Sequence, residues 1–151
     1  MYYVSAISFF LEVREAARDA ERIRLQLQRL EQQALSIGSQ DFEPRTRSTP
    51  NPRRMECAIV RYTDKERQLE ARAEADYELL GRASRVLYGP DEDGTGGVAS
   101  HVGTLAADAL WWRYCDDAPW KRVATALGSS VTTVQAAATY ALEWLDESGE
   151  Y

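Results

Sequence analysis

The chain has 151 residues, a net charge of −6, and a good supply of large aromatics, with four Trp and eight Tyr. That length fits one domain, or a small domain with a helical extension, and the aromatics are enough to build a real core. The acidic balance excludes a chain that is polycationic throughout. It leaves local basic sites open, because salt screening confines a surface charge to about 10 Å at 0.1 M.

The N-terminal stretch "MYYVSAISFFLEVREAARDAE" begins apolar but has no basic segment ahead of its apolar run. No run reaches membrane-spanning length, so neither a signal peptide nor membrane association is expected, and the chain reads as cytoplasmic. Phe9, Val13, Ala16, Ala20, Ile23, Leu27, Leu30, Ala34 and Ile37 recur at alternating spacings of four and three. That repeat is the seam of a coiled coil or of a long helical hairpin. Gly38 offers a stop.

Residues 38–54, "GSQDFEPRTRSTPNPRR", form a Pro-rich loop in which Arg45, Arg47, Arg53 and Arg54 follow Glu43 with no acid among them. The pattern suits either a solvated loop or a basic arm that neutralises phosphates. Asn51 as N-cap and Pro52 in the first helical position open a second long helix. Its seam runs through Met55, Ile59, Tyr62, Leu69, Ala73, Leu80, Ala83 and Leu87, interrupted by Glu66 and Asp76. Two such helices predict an antiparallel hairpin whose exposed seam can pair with a second copy, so a homo-oligomer is expected.

"YGPDEDGTGGVASHVG" at 88–103 breaks the helical pattern and reads as a flexible acidic tether. Asp91, Asp93 and Gly94 echo the start of a calcium loop, but the remaining ligands are missing, and no Gly-Lys-Ser/Thr completes a phosphate loop. Cys57 and Cys115 are far apart and form no CxxC pair, and His101 is the single histidine. The cysteines read as buried free thiols, with no metal site, cofactor or catalysis expected. Adjacent Asp116 and Asp117 would oppose a thiolate at Cys115 and read as a solvated turn.

Beyond the tether, helices are predicted at about 105–115, 119–127 and 130–146. Leu105, Leu110, Val123, Ala124, Leu127, Val131, Val134 and Leu142 supply their shared core. Gly128 suits a tight turn that needs positive φ, and Ser130 suits the N-cap of the following helix. Of Trp111 and Trp112, neighbours on one helix, one is expected in the core; Trp144 is expected there too. The expected architecture is all-α: a coiled-coil-like helical hairpin over 1–88, the tether over 89–103, and a helix-turn-helix domain over 104–151.

"LWWRYCDDAPWKRVATALGSSVTTVQAAATYALEWL" resembles sigma-70 region 4 in the form found in small phage and prophage regulators, including RinA-like activators of phage late transcription. The shared frame is Arg113 and Tyr114, an acidic turn, Trp120, then Val123, Ala124, Leu127, Gly128, Ser130, Thr133 and Val134, and finally Ala141, Leu142 and Leu145. The resemblance implies a non-enzymatic, DNA-binding transcription regulator. Its base-reading residues would be Ser129, Ser130, Thr132, Thr133 and Gln135. Its phosphate contacts would come from Arg113, Lys121 and Arg122, joined by Arg45, Arg47, Arg53 and Arg54.

The chain departs from that frame in one respect. Arg122 is its last Lys or Arg, so the presumed reading helix carries no cation. Threonines and glutamine can still contact base edges, and helix N-terminal amides can hold a phosphate. Affinity for duplex DNA is therefore expected to be weak and salt-sensitive, with RNA polymerase as an assisting partner. The competing readings are an interaction module that keeps the shape and holds RNA polymerase or a phage component, and a small terminase subunit.

Overall fold

The computed structural model describes residues 5–40 and 52–151, with side chains described for 5–36 and 56–151. All its regular elements are helical: α1 (Ala6–Gln40), α2 (Pro52–Tyr88), α3 (Gly97–His101), α4 (Thr104–Leu110), a π-helical turn (Trp111–Cys115), α5 (Trp120–Leu127) and α6 (Val131–Ser148). No helix among the described residues is long and apolar enough to cross a membrane. Helix α1 runs past Gly38 to Gln40, so that glycine does not end it. Pro52 opens α2 as expected, while Asn51 lies outside the described residues.

The chain divides into two compact units, Met1–Asp19 with Asp76–Tyr151, and Ala20–Ala75. The expected borders at 88 and 103 are not where the division falls. The reason lies in the core of the first unit, which takes Ala6, Phe9, Phe10 and Val13 from the start of α1 and Ala83 and Leu87 from the end of α2. These join Val98, Leu110, Tyr114, Val123, Val134, Ala141 and Leu145. Helices as short as α3, α4 and α5 present too little apolar area to close a core among themselves, and the bases of the long helices supply the rest.

Within this unit α4 packs on α6, and α5 packs on both. Phe10 meets Phe9 edge-on at 5.1 Å and Tyr114 at 5.5 Å. The start of α1 is capped twice. Ser5 Oγ accepts from the Ser8 amide, and Asp146 Oδ1, from the far end of α6, accepts from the Ala6 amide at 2.6 Å. A carboxylate at a helix N-terminus also favours the helix dipole, so Asp146 has a structural role here.

The segment expected to be a tether is instead folded against the end of α2. The Gly94 and Gly96 amides donate to the Tyr88 carbonyl, and Thr95 donates to Asp93 through both its amide and its hydroxyl. Helix α3 then starts at Gly97 and buries Val98 in the core. His101 Nδ1 donates to the Gly97 carbonyl at 2.9 Å, and the ring stacks on Trp144 at 5.0 Å.

Leu110, Val123, Ala124 and Val134 are buried as expected, but Val131, the first residue of α6, is 37% exposed. Trp111, Trp112 and Trp144 are all half-buried. The first two, at the start of the π-turn, meet edge to face at 5.4 Å.

In the second unit Ile23, Leu69 and Ala73 form a small buried cluster, with Leu27 and Leu30 packed against it. Gln26, Arg29, Leu30, Lys65 and Leu69 line a shallow groove there. The predicted seams fade along the two helices. Ala34 is exposed, Ile59 is 53% exposed, and Leu25, Leu35 and Val60 are also open. Two helices cover only one stripe of each other, so apolar residues off that stripe stay uncovered.

Cys57 is exposed on α2, which corrects its expected burial, whereas burial and the nearby Asp116 charge push the Cys115 thiol up to about 12. A thiol reagent added to the native protein should therefore modify Cys57 alone. Cys115 should react only on unfolding, and Cys57→Ser should abolish fast labelling; rapid modification of that variant would contradict the burial of Cys115.

Candidate nucleic-acid interface

Helix α5 ends in a Schellman motif. Gly128 is left-handed at φ 64, its amide donates to the Thr125 carbonyl, and the Ser129 amide donates to the Ala124 carbonyl at 3.0 Å. Two residues later Ser130 caps α6, its Oγ accepting from the Thr133 amide at 3.2 Å. The three-residue connection thus leaves neither helix end with a ragged backbone. Both special positions, Gly128 and Ser130, have the conformations expected from the sequence.

The side chains nominated for base reading divide into three groups. Ser130 is the cap, and its hydroxyl also pairs with Thr133 Oγ1 at 2.8 Å, so both are tied to the start of α6. Ser129 is half-buried. Thr132 and Gln135 are exposed, and Ala136, Thr139 and Tyr140 continue the outer face of α6. This face carries no charge until Glu143.

Lys121 and Arg122 stand exposed in the first turn of α5. Cations there oppose the helix dipole, so helix stability does not account for them. Arg113 is placed differently from the expected free cation. Its guanidinium lies 5.0 Å over the Trp120 ring, and Nη1 donates to the Ala118 carbonyl at 3.2 Å. Burial first, then the positive charges of Arg14 and Arg18, disfavour its own charge. Arg113 therefore orders the turn ahead of α5. Arg53 and Arg54 belong to the first turn of α2, with side chains outside the described residues, and Arg45 and Arg47 lie outside them altogether.

The sequence reading missed one constellation. Asp117, taken for a solvated turn, accepts from Arg14 Nε through Oδ1 at 2.5 Å and from Arg18 Nε through Oδ2 at 2.9 Å. The partners lie about 100 residues away along the chain; the single local signal is that Arg14 and Arg18, four apart, share a helix face. Burial works against ionised Asp117, but hydrogen bonds and charges from Arg18 and Arg14 outweigh it and hold the carboxyl below its ordinary value.

A lowered folded-state value means that the ion pairs stabilise the fold at neutral pH. That contribution disappears as pH falls below the ordinary aspartate value of 3.8. Asp117→Asn should accordingly flatten the fall in urea midpoint between about pH 5 and about pH 2. An unchanged acid profile would remove Asp117 from that balance.

By its described elements the protein is all-α, with no strand among them. No protein-family model matches the chain, and neither a curated protein nor a solved structure is significantly similar to it.

Proposed function

We propose that the chain is a DNA-binding transcription regulator of the phage type, acting in the cytoplasm without catalysis, in which α5 and α6 work as a helix-turn-helix and α6 reads the major groove. The observation that carries this reading is the pairing of exposed Lys121 and Arg122, set against their own helix dipole, with the uncharged outer face of α6. In such a unit cations at the start of the first helix meet the phosphate backbone, while the first turns of the second meet base edges. Thr132 and Gln135 are the exposed candidates for base contact, Gln135 having the donor–acceptor pair that matches adenine. With few cations available, RNA polymerase would supply the affinity that the interface lacks. A second copy would serve the same end, and exposed Leu35, Ile59 and Val60 offer apolar surface for one.

The test is fluorescence anisotropy of labelled duplex DNA at several salt concentrations, using random DNA and DNA from beside the chain's own gene. Lys121→Ala with Arg122→Ala should weaken binding to every sequence and reduce the salt slope by about 2. Gln135→Ala should lower the preference for the local fragment by about 1–3 kcal/mol without changing that slope. Equal losses on all sequences from Gln135→Ala would remove α6 as the reading helix.

A second reading rests on Tyr140, 64% exposed on α6 and followed by Glu143 and Glu147. An open aromatic beside acids suits a protein partner better than a phosphate backbone. No DNA binding even at low salt, together with capture of RNA polymerase that Tyr140→Ala abolishes, would favour this interaction module.

A further inference from the structure

The turn before α5 gathers three arginines around a single carboxylate, Asp117. Arg14 and Arg18 reach Asp117 from α1, and Arg113 comes from the π-turn on the same side. Arg14 and Arg18 pair with Asp117, and Arg113 Nη1 donates to the carbonyl of the next residue, Ala118, so the three guanidinium groups gather around one stretch of the turn. Asp117 is the carboxylate they share, and Glu15 takes only the outer Nη1 of Arg18 at 3.0 Å.

The donors are also incompletely used. Arg14 and Arg18 each meet Asp117 through Nε, not through the two-pronged fork that binds a carboxylate most strongly. Both Nη groups of Arg14 and Nη2 of Arg18 have no hydrogen-bond acceptor among the described residues, and Arg113 Nε is buried without one. An arrangement selected only to tie α1 to the turn would use the forks. Asp117 is itself held at φ 54, a left-handed conformation that a side chain adopts at some cost, which indicates that the carboxylate is positioned by its partners.

We propose that Arg14, Arg18 and Arg113 form a phosphoryl-binding site in which the Asp117 carboxylate occupies the anion's place. A phosphoryl group offers more acceptor oxygens than a carboxylate and can take the idle forks of Arg14 and Arg18 when Asp117 swings away. The group can be a backbone phosphate of duplex DNA or a free phosphate. The first source rests on the DNA-binding reading above and extends its footprint from α5 to the base of α1.

Asp117 competes with the ligand, so the apparent affinity is reduced by the fraction of molecules in which the site is closed. That makes the proposal separable from a purely structural clasp. The experiment follows the Arg14 and Arg18 Nε–Hε signals by NMR in the full chain, with inorganic phosphate titrated against chloride at constant ionic strength. Saturable shifts are expected, and Arg14→Gln with Arg18→Gln should abolish binding.

Asp117→Asn removes the competing charge while keeping a residue that accepts left-handed φ, and should tighten phosphate by about threefold or more. A clasp with no ligand predicts the opposite pattern: Asp117→Asn and the double arginine variant would both only loosen the turn. Absence of saturable shifts in both the parent chain and Asp117→Asn would overturn the proposal, as would weaker phosphate binding by Asp117→Asn.

The same variants then go into the DNA titration. Tighter duplex binding by Asp117→Asn identifies the backbone as the source. Tighter phosphate with unchanged duplex affinity supports the site with a free phosphate as its ligand. Phosphate binding with no duplex binding by any form keeps this site and defeats the DNA-binding reading instead.

Discussion

Phe10→Ala should lower the stability of the folded chain by about 3–5 kcal/mol, the usual loss when a fully buried phenylalanine leaves a cavity. Phe10 has no exposed surface and packs on Phe9 and on Tyr114 of the π-turn. Its loss removes contacts that join the start of α1 to the helices that follow residue 104. Since that core is shared, the whole unit should unfold at lower denaturant, including the elements around α5 and α6. Urea unfolding followed by tryptophan fluorescence reads this out, with four Trp in the chain. Leu35→Ala is the matched control: Leu35 is 68% exposed, and its truncation should change stability by no more than about 0.5 kcal/mol. Equal effects from the two substitutions would mean that residues 6–13 do not belong to that core.

The second large effect is expected at Gly97. This residue opens α3 at φ 64, and a Cβ there would collide with the Val86 carbonyl oxygen and sit 2.9 Å from Gly89 N and Leu87 C. These are backbone atoms at the end of α2 and cannot rotate aside. Gly128 makes a useful comparison, since it has the same φ of 64 but nothing within 4 Å of its added Cβ. Gly128→Ala should cost only the left-handed penalty, about 1–2 kcal/mol. Gly97→Ala adds a steric collision to that penalty and should cost clearly more, by separating 89–97 from α2 and drawing Val98 out of the core. The difference between their urea midpoints measures how closely the glycine-rich segment is packed. Two equal losses would return that segment to the role of a loose connector.

Asp117 carries the chemistry that sequence reading found hardest to place. Acid pairs at helix exits are commonly solvated, and the two arginines that pair with Asp117 lie about 100 residues away along the chain. Its role depends on α1 lying beside the turn, whereas Arg113 orders the same turn locally through the Ala118 carbonyl and the Trp120 ring. The turn, the clasp and the exposed pair Lys121–Arg122 follow one another directly in the chain. A change at Asp117 should therefore be felt at the start of α5, where the proposed DNA contacts begin.

The features that could be read directly from the chain are those governed by neighbours within about one helical turn. The three-four spacing from Phe9 to Leu30 demanded a long amphipathic helix, Pro52 marked the start of the next, and Gly128 and Ser130 marked the end of α5 and the start of α6. Each depends on local φ, a local cap or a helical period, and all are encoded within a few residues. The acid-for-cation bias of the last thirty residues was equally plain, along with the uncharged face it leaves on α6.

Other features required the folded chain. Phe10 lies outside the predicted seam, the glycines at 89–97 read as a tether, and Arg113 reads as a phosphate contact. Their roles are set by partners beyond one helical turn: Tyr114 for Phe10, the end of α2 for the glycines, and the Trp120 ring and the Ala118 carbonyl for Arg113. Short helices cannot close a core alone, so they draw in the bases of the long ones, and no local pattern states which residues that closure will bring together.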